Sequence, residues 1–270
     1  MPPIGLELIA PPHWRCIDFL SDLHLQASEV ETSTAWKQYL ARTPANALFV
    51  LGDLFEVWVG DDAASDPTGF EAQCLHALQQ ASLTRSIYFI CGNRDFLLGS
   101  EAARSSGMQL LADPTVLAVG GERWLLSHGD ALCLDDKDYQ IFRSEVRTKA
   151  WAAQFLSQPL LERQQIARKM RSQSEAQKRA QTVYADLDVG AVEAWLLAAN
   201  AQGLVHGHTH KPGDHLLPSG GQRRVLSDWD LGANPPRAEI LRLEIGPATE
   251  TALSWHRLTL VEAVTAKTRD

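Results

Sequence analysis

The sequence predicts an α/β fold built on parallel strands that carry polar residues at one edge of their sheet. Apolar, strand-like runs alternate with helix-forming stretches, beginning with the runs at residues 16–21 and 47–51. Several of these runs end in a short polar segment that contains aspartate, asparagine or histidine. Because the carboxyl ends of parallel strands meet at one edge of a sheet, we expect the polar segments to share one site.

The other elements follow from the same patterns. Strands are predicted at residues 16–21, 47–51, 86–91, 116–119, 124–127 and 203–205. Helices are predicted at residues 28–42, 68–82, 96–106 and 189–200. Gly120-Gly121 indicates a hairpin turn, and antiparallel strands are predicted after Pro218. Asp61 and Asp62 lie beside an apolar run and are interpreted as packing residues under the site.

Composition narrows the class of protein. A chain of 270 residues with 45% apolar and 21% charged residues can bury a large core, and residues 1–270 are predicted to form a single domain. The net charge of −8 argues against general nucleic-acid binding. Every apolar run is far shorter than the ~20 residues that span a bilayer, and the N-terminus lacks the pattern of a secretion signal. We therefore expect a cytoplasmic protein without a transmembrane segment.

Residues 137–181 differ from the rest of the chain and are predicted to form a helical cap insertion, broken at Pro159. The segment has ten basic and four acidic residues, a net charge of +6, which leaves −14 elsewhere. Its apolar residues include Phe155, Leu156, Leu160, Leu161, Ile166 and Met170. A basic and partly apolar cap favours an anionic substrate or an anionic membrane surface. A solvated helical face is the alternative interpretation.

The polar segments contain seven candidate metal ligands, in five groups along the chain: Asp22, His24, Asp53, Asn93, His128, His208 and His210. Seven ligands exceed what one zinc ion needs, and they suit two divalent ions about 3.5–4 Å apart. Asp53 is the natural bridging carboxylate. Oxygen and imidazole ligands without thiolate favour manganese, iron or zinc. Taken singly, an aspartate after a strand is often a turn former and a histidine often an ordinary polar residue, so the ordered set carries the prediction.

This ordered set, Asp-x-His, Gly-Asp, Gly-Asn-Arg-Asp, His-Gly-Asp and Gly-His-Thr-His, resembles the calcineurin-like metallophosphoesterases. The resemblance implies two facing mixed β-sheets flanked by helices, with a dinuclear centre at one end. It also implies two ligand sets that share Asp53. The first would be Asp22, His24, Asp53 and His210, and the second Asp53, Asn93, His128 and His208. Water would attack the substrate phosphorus in line.

Arg94 departs from the broad family, in which most members have histidine after the Gly-Asn pair. An arginine cannot act as a general acid, but it can hold phosphate oxygens. We therefore expect a leaving group that needs no proton. A phosphoanhydride meets this condition because its leaving group is itself a phosphate.

The chain is more closely similar to the UDP-2,3-diacylglucosamine diphosphatases of lipid A biosynthesis. The segments that carry this resemblance lie between residues 21 and 212 and are SDLHL, LGDLFEVWVGDD, GNRDFLLG, HGDALCLDD and VHGHTHKP. The resemblance implies hydrolysis of UDP-2,3-diacylglucosamine at the α-phosphorus, which releases UMP and 2,3-diacylglucosamine 1-phosphate (lipid X). It further implies two Mn²⁺ ions as cofactor and peripheral association with the cytoplasmic face of the inner membrane.

Site residues carry over from that family position by position. The catalytic residues implied are Asp53, Asn93, Arg94 and His208. The substrate contacts implied are Asn93, Arg94, Asp136, Ser174 and His208. The family pattern is not kept farther along the cap, where this chain has Lys178 and Gln181, and Lys178 is a hypothetical contact to a phosphate or sugar oxygen.

Two alternatives remain open at the level of sequence. One is a general nucleotide pyrophosphatase on the same centre, which Arg94 and the cap argue against. The other is a scaffold or membrane-binding module that keeps the fold without the chemistry, which the complete ligand set argues against. No obligate protein partner is inferred.

Overall fold

A computed structural model describes residues 6–180, 186–247 and 252–265, with the side chains of residues 172–180 outside the description. Strands in these residues are β1 Leu6–Ile9, β2 Cys16–Leu20, β3 Ala47–Leu51, β4 Ser86–Ile90, β5 Met108–Leu111, β6 Thr115–Val119, β7 Glu122–Ser127, β8 Gly203–His206, β9 Gly213–Leu216, β10 Gln222–Val225, β11 Glu239–Ile245 and β12 Leu253–Thr259. The α-helices are α1 Val30–Arg42, α2 Phe70–Ser82, α3 Ser100–Ser106, α4 Lys137–Val146, α5 Lys149–Leu156, α6 Leu160–Ala180, α7 Val189–Ala199 and α8 Leu260–Thr265.

The strands form two mixed sheets. Sheet 1 has the order β12-β11-β2-β3-β4-β5, in which β2 to β5 are parallel and β11 is antiparallel to both neighbours. Sheet 2 has the order β1-β6-β7-β8-β10-β9, with β7, β8 and β10 parallel. This architecture confirms the predicted α/β fold with two mixed sheets and flanking helices. The pairings of β1 and β5 are not foreseen in the sequence, because both are short and mostly exposed and so lack the apolar run that marks a buried strand such as β8.

The two sheets face each other across an apolar core. Phe19 and Phe49 of sheet 1 stack with ring centroids 5.3 Å apart, and they share a buried cluster with Leu126 and Val205 of sheet 2. A second cluster joins sheet 1 to α1, α2, α3 and α8, and a third joins sheet 2 to α7. The strand ends that carry the polar segments of both sheets are thereby brought together.

The helix predicted at residues 96–106 begins later, at Ser100. The Asp61 carboxylate accepts hydrogen bonds from the backbone N–H groups of Gly99, Glu101 and Ala102, at 2.8 to 3.0 Å, and so caps the start of α3. The preceding residues form a turn, closed by a hydrogen bond from the Leu98 N–H to the Asp95 carbonyl. Local sequence patterns could not predict this start, because the carboxylate that caps α3 lies about 40 residues earlier in the chain.

Residues 137–180 contain three helices, α4, α5 and α6, which lie between β7 and α7 with a break before Leu160. Arg163 of α6 is buried. Its guanidinium donates to the carboxylate of Asp62 and to the carbonyl oxygen of Val59. Asp62, whose side chain is 52% exposed, thereby fastens α6 to the loop after Asp53. No helix among the described residues is long and apolar enough to cross a membrane.

Candidate metal centre

The five polar segments follow strands β2, β3, β4, β7 and β8, and their side chains converge. Two groups of potential ligand atoms lie within 4.8 Å of one another among the described residues. One group is Asp22, His24 and His210, and the other is Asp22, Asp53 and His128. Asp22 belongs to both groups.

The first group pairs two imidazoles beside a carboxylate. The Nε2 atoms of His24 and His210 are 3.3 Å apart, and Nε2 of His210 is 3.3 Å from Oδ1 of Asp22. Oδ2 of Asp22 accepts hydrogen bonds from the Ser21 hydroxyl at 2.5 Å and from the His208 backbone N–H at 2.9 Å. Oδ1 is buried without a well-aligned hydrogen-bond partner.

The outer nitrogens of these imidazoles face carboxylates. Nδ1 of His24 is 3.0 Å from Oε2 of Glu56, and Nδ1 of His210 is 3.6 Å from Oδ2 of Asp228. In the absence of a cation, Nε2 of His210 can carry a proton and donate it toward Asp22 or His24. With the protons on the Nδ1 atoms, both Nε2 lone pairs and Oδ1 of Asp22 would face one point, where they could hold a cation.

Asn93 joins His128 of the second group to His208. Its Oδ1 is 2.9 Å from Nε2 of His128 and 2.9 Å from Nδ1 of His208. The carbonyl oxygen of Leu51 lies 2.9 Å from Nδ1 of His128 and can only accept a hydrogen bond, so Nδ1 carries the proton. Nε2 of His128 therefore points inward, 3.7 Å from Oδ1 of Asp53.

The backbone at the site is held in an uncommon conformation. Six non-glycine residues among those described have φ between 48° and 68°, and five of them are candidate ligands: Asp22, His24, Asp53, His208 and His210. The left-handed region costs energy for such residues and persists where the surroundings enforce it. Strain concentrated on the candidate ligands indicates a functional site.

Two glycines let the strand ends approach each other. A Cβ atom on Gly92 would lie 2.1 Å from Oδ1 of Asp53, and one on Gly207 would lie 2.3 Å from Oδ2 of Asp22. Both distances are far below any tolerated contact, so only glycine fits at these positions.

Electrostatics make the centre a pocket that attracts positive charge. Burial alone would lower the pKa of His128, but the carboxylates of Asp53, Asp22 and Asp130 outweigh it and raise that pKa to about 9. Burial and the neighbouring His128 lower the pKa of His208 to about 4. Burial opposes the charge on Asp22, yet the contact with His210 holds the pKa of Asp22 well below its usual range.

The donor set fits divalent metal ions. It combines carboxylate, amide and imidazole groups, it includes the buried Asp22 oxygen without an aligned partner, and its outer nitrogens are held by carboxylates as in known metal sites. All seven predicted ligands lie at this centre: Asp22, His24, Asp53, Asn93, His128, His208 and His210.

Sequence patterns missed several residues that support the centre. Asp95 is buried and accepts hydrogen bonds from four backbone N–H groups, among them those of Gly92 at 2.8 Å and Leu54 at 2.7 Å. It thereby holds the loops of Asp53 and Asn93 together. Its place in Gly-Asn-Arg-Asp was the available signal.

Asp130 is a second missed residue, at the base of the cap. It is buried and accepts hydrogen bonds from the Tyr139 hydroxyl at 2.5 Å and from Nε of Arg143 at 2.8 Å. The ring of Tyr139 stacks on His208 with centroids 6.0 Å apart. Nη2 of Arg147 donates to the Gly92 carbonyl at 2.8 Å. Helix α4 is thus tied directly to the ligand-bearing loops.

The structure describes the side chains of only some of the predicted substrate contacts. The Arg94 backbone N–H donates to Oδ1 of Asp53 at 2.8 Å, and its side chain reaches toward Glu56, with Nη1 3.7 Å from Oε1. Asp136 is the N-cap of α4 and accepts a hydrogen bond from the Tyr139 N–H at 3.1 Å. The side chains of Ser174 and Lys178, and the whole of Gln181, lie outside the described residues.

A family model for calcineurin-like phosphoesterases matches residues 17–212. The chain therefore belongs to the calcineurin-like phosphoesterase family, as its motifs predicted. Curated relatives named UDP-2,3-diacylglucosamine hydrolase are similar over most of their length. The relative from Stenotrophomonas maltophilia is 40% identical over 84% of this chain and 94% of its own. Those from Bordetella pertussis and Chromobacterium violaceum are 42% and 43% identical, over 80% of this chain and 87% and 91% of their own.

Proposed function

We propose that this protein hydrolyses the pyrophosphate bond of UDP-2,3-diacylglucosamine, a step of lipid A biosynthesis. Water attacks the α-phosphorus, and UMP and 2,3-diacylglucosamine 1-phosphate (lipid X) are released. The observation that carries the proposal is the complete donor set beside Arg94, together with relatives at 40–43% identity that bear the name of this hydrolase.

The proposed metal ligands form two sets that share Asp53. Asp22, His24, Asp53 and His210 would hold one ion, and Asp53, Asn93, His128 and His208 the other. Asp53 is proposed as the bridge because it is the aspartate of the family's Gly-Asp motif. Each aspartate has one oxygen already engaged, Oδ2 of Asp22 by Ser21 and His208 and Oδ1 of Asp53 by the Arg94 N–H. Two divalent ions, proposed to be Mn²⁺, supply positive charge for the phosphorus centre and acidify water when bound.

The protein's own residues orient the substrate. Arg94 stands next to Asn93 with a guanidinium that can hold two phosphate oxygens at once. The low pKa of His208 keeps its imidazole neutral, so that it can act as a ligand or as a hydrogen-bond partner of the phosphate. Asp136, Ser174 and Lys178 are proposed to contact the sugar or phosphate groups. Lys178→Ala should then raise KM, and unchanged kinetics would remove Lys178 from the site.

The cap supports a lipid substrate. A groove of about 300 Å³ lies between its helices and is lined in part by the apolar side chains of Trp151, Phe155, Ile166 and Met170. We propose that this groove accommodates an acyl chain. The net charge of +6 on the cap and the exposed side chains of Ile141 and Leu161 favour binding to an anionic membrane, here the cytoplasmic face of the inner membrane.

The test is UMP release from UDP-2,3-diacylglucosamine in detergent micelles by metal-stripped protein, with and without Mn²⁺. We expect turnover that requires Mn²⁺ and is lost in Asp53→Ala, whereas Glu101→Gln, an exposed carboxylate change on α3, keeps it. A deacylated UDP-sugar serves as the second substrate. Equal cleavage of both would favour a general nucleotide pyrophosphatase, and no cleavage of either would favour a scaffold.

A further inference from the structure

Glu56 is a buried carboxylate in the segment that follows Asp53, and its side chain is 8% exposed. A buried charge is unfavourable unless cationic or hydrogen-bonding groups surround it. Glu56 has three such neighbours, and each belongs to a different functional element. They are the candidate ligand His24, Arg94, which is proposed to bind phosphate, and Arg171 of the cap helix α6.

The contacts are asymmetric between the two carboxylate oxygens. Oε2 lies 3.0 Å from Nδ1 of His24 without hydrogen-bond alignment, so this pair interacts through charge, while Oε1 is 3.7 Å from Nη1 of Arg94 and also contacts Nη1 of Arg171. One carboxylate oxygen therefore contacts a candidate metal ligand, and the other contacts two arginines. Replacing the carboxylate with an amide would disturb both sides at once.

The backbone of Glu56 is as firmly held as its side chain. Its N–H donates to the Leu25 carbonyl at 3.2 Å, and Leu25 forms a parallel bridge with Phe55. The segment after His24 is therefore paired with the segment after Asp53. This pairing fixes the distance between Glu56 and His24 independently of the cap.

We propose that Glu56 is a positioning residue that couples the seating of cap helix α6 to the geometry of His24 and Arg94. Its charge orients the His24 imidazole with Nδ1 outward and Nε2 toward the metal centre. The same charge draws Arg94 and Arg171 to one side of the centre, two cations that repel each other in its absence. The kinetic part of this proposal rests on the proposed hydrolysis, whereas its metal-binding and cap-seating parts do not.

The first measurement is Mn²⁺ binding by calorimetry to metal-stripped Glu56→Gln, which keeps the shape and removes the charge. We expect one of the two binding steps to weaken by about 10- to 100-fold, the usual effect of losing a carboxylate behind a ligating histidine. Glu101→Gln is the matched control and should bind as wild type does. Wild-type affinity at both steps in Glu56→Gln would overturn the orienting role.

The second measurement is amide hydrogen exchange of α6 in the same proteins. Glu56→Gln and Arg171→Gln should each speed exchange in α6 while α7 is unchanged, and the double variant should add little to either single change. Only Glu56→Gln should also alter Mn²⁺ affinity. Additive effects of the two substitutions on exchange would overturn the coupling.

Kinetics separate this inference from the proposed function. If wild type turns over UDP-2,3-diacylglucosamine, Glu56→Gln should lose kcat in a way that saturating Mn²⁺ partly restores, and Arg171→Gln should lose activity independently of Mn²⁺. If wild type does not turn over this lipid, the proposed function fails, while calorimetry and exchange still decide the role of Glu56. If Glu56→Gln does not fold, as checked by circular dichroism, Glu56→Asp replaces it. This change withdraws the charge by one methylene and should weaken the same Mn²⁺ step and speed exchange in α6. Wild-type behaviour in both would overturn the proposal.

Discussion

Nε2 of His24 and Nε2 of His210 face each other at 3.3 Å, across 186 residues of sequence. Their Nδ1 atoms point away, toward Glu56 and Asp228. If one ring carries its proton on Nε2, the two imidazoles share a hydrogen bond; if both carry it on Nδ1, the two Nε2 lone pairs face one point and can hold a single cation.

Divalent metal should therefore stabilise the folded protein. At an Mn²⁺ concentration about 100 times the Kd, binding contributes about 2.7 kcal/mol, which corresponds to a rise in Tm of roughly 5–10 °C for a domain of this size. Thermal unfolding in EDTA and in excess Mn²⁺ measures this difference. His24→Ala should reduce it, whereas His76→Ala, at an exposed position of α2, should not. Equal Tm values for wild type in both conditions would contradict a metal centre here.

Gly92→Ala should abolish most activity. The added Cβ would lie 2.1 Å from Oδ1 and 2.4 Å from the backbone N of Asp53, so both the carboxylate and the loop that carries it must move. A displacement of about 1 Å at a reacting centre can lower kcat/KM by about 100-fold. Gly190→Ala is the control, because its Cβ would meet its nearest neighbour, Oδ1 of Asp188, at an ordinary 3.4 Å. Near-equal kcat/KM values for the two variants would show that the close approach does not matter.

Asp95→Ala should destabilise the fold as well as the site. The buried N–H groups of Gly92 and Leu54 would lose their acceptor, at a cost of roughly 2–4 kcal/mol in the free energy of unfolding. Urea unfolding at constant pH, in EDTA, measures this cost separately from metal binding. Asp135→Ala, at an exposed position near the cap, is the comparison. A loss below about 0.5 kcal/mol for Asp95→Ala would mean that solvent replaces the lost acceptor.

His206 should make the metal-free protein sensitive to mild acid. Burial lowers the pKa of its imidazole from 6.5 to about 3, so the folded state excludes a proton that the unfolded chain binds below pH 6.5. The contribution of the neutral His206 to the free energy of unfolding is complete above pH 6.5 and decreases as the pH falls toward 3. Relative to His206→Asn, wild type should lose about 2 kcal/mol between pH 8 and pH 5.

Urea unfolding of both proteins in EDTA at several pH values tests this expectation, and taking the difference between them cancels the other titrating groups. His76→Asn, an exposed change, should track wild type. A constant difference between wild type and His206→Asn across the range would show that His206 does not titrate on unfolding.

Local sequence patterns predicted several strands, the candidate ligands and the cap helices. Short apolar runs predicted β2, β3, β4 and β8 to within one residue at each end, because strands buried on both faces are mostly apolar; the buried Asp18 of β2 is an exception that pairs with Arg242. The order of Asp22, Asp53, Asn93, His128 and His208 after β2, β3, β4, β7 and β8 predicted which side chains meet at the candidate centre. The helices and the positive charge of the cap could also be predicted from short stretches of sequence, because helix propensity and charge are properties of the individual residues.

Tertiary structure alone decided how those parts meet. Glu56 and Asp228 resemble any other acidic residues in sequence, and they acquire a role because sheet packing places them behind His24 and His210. Asp61 and Asp62 likewise became a helix cap and an anchor of Arg163 only when α3 and α6 docked beside them. The physical reason is that a strand or helix pattern is set by residues a few positions apart. A carboxylate's partner is instead set by which surfaces are buried together.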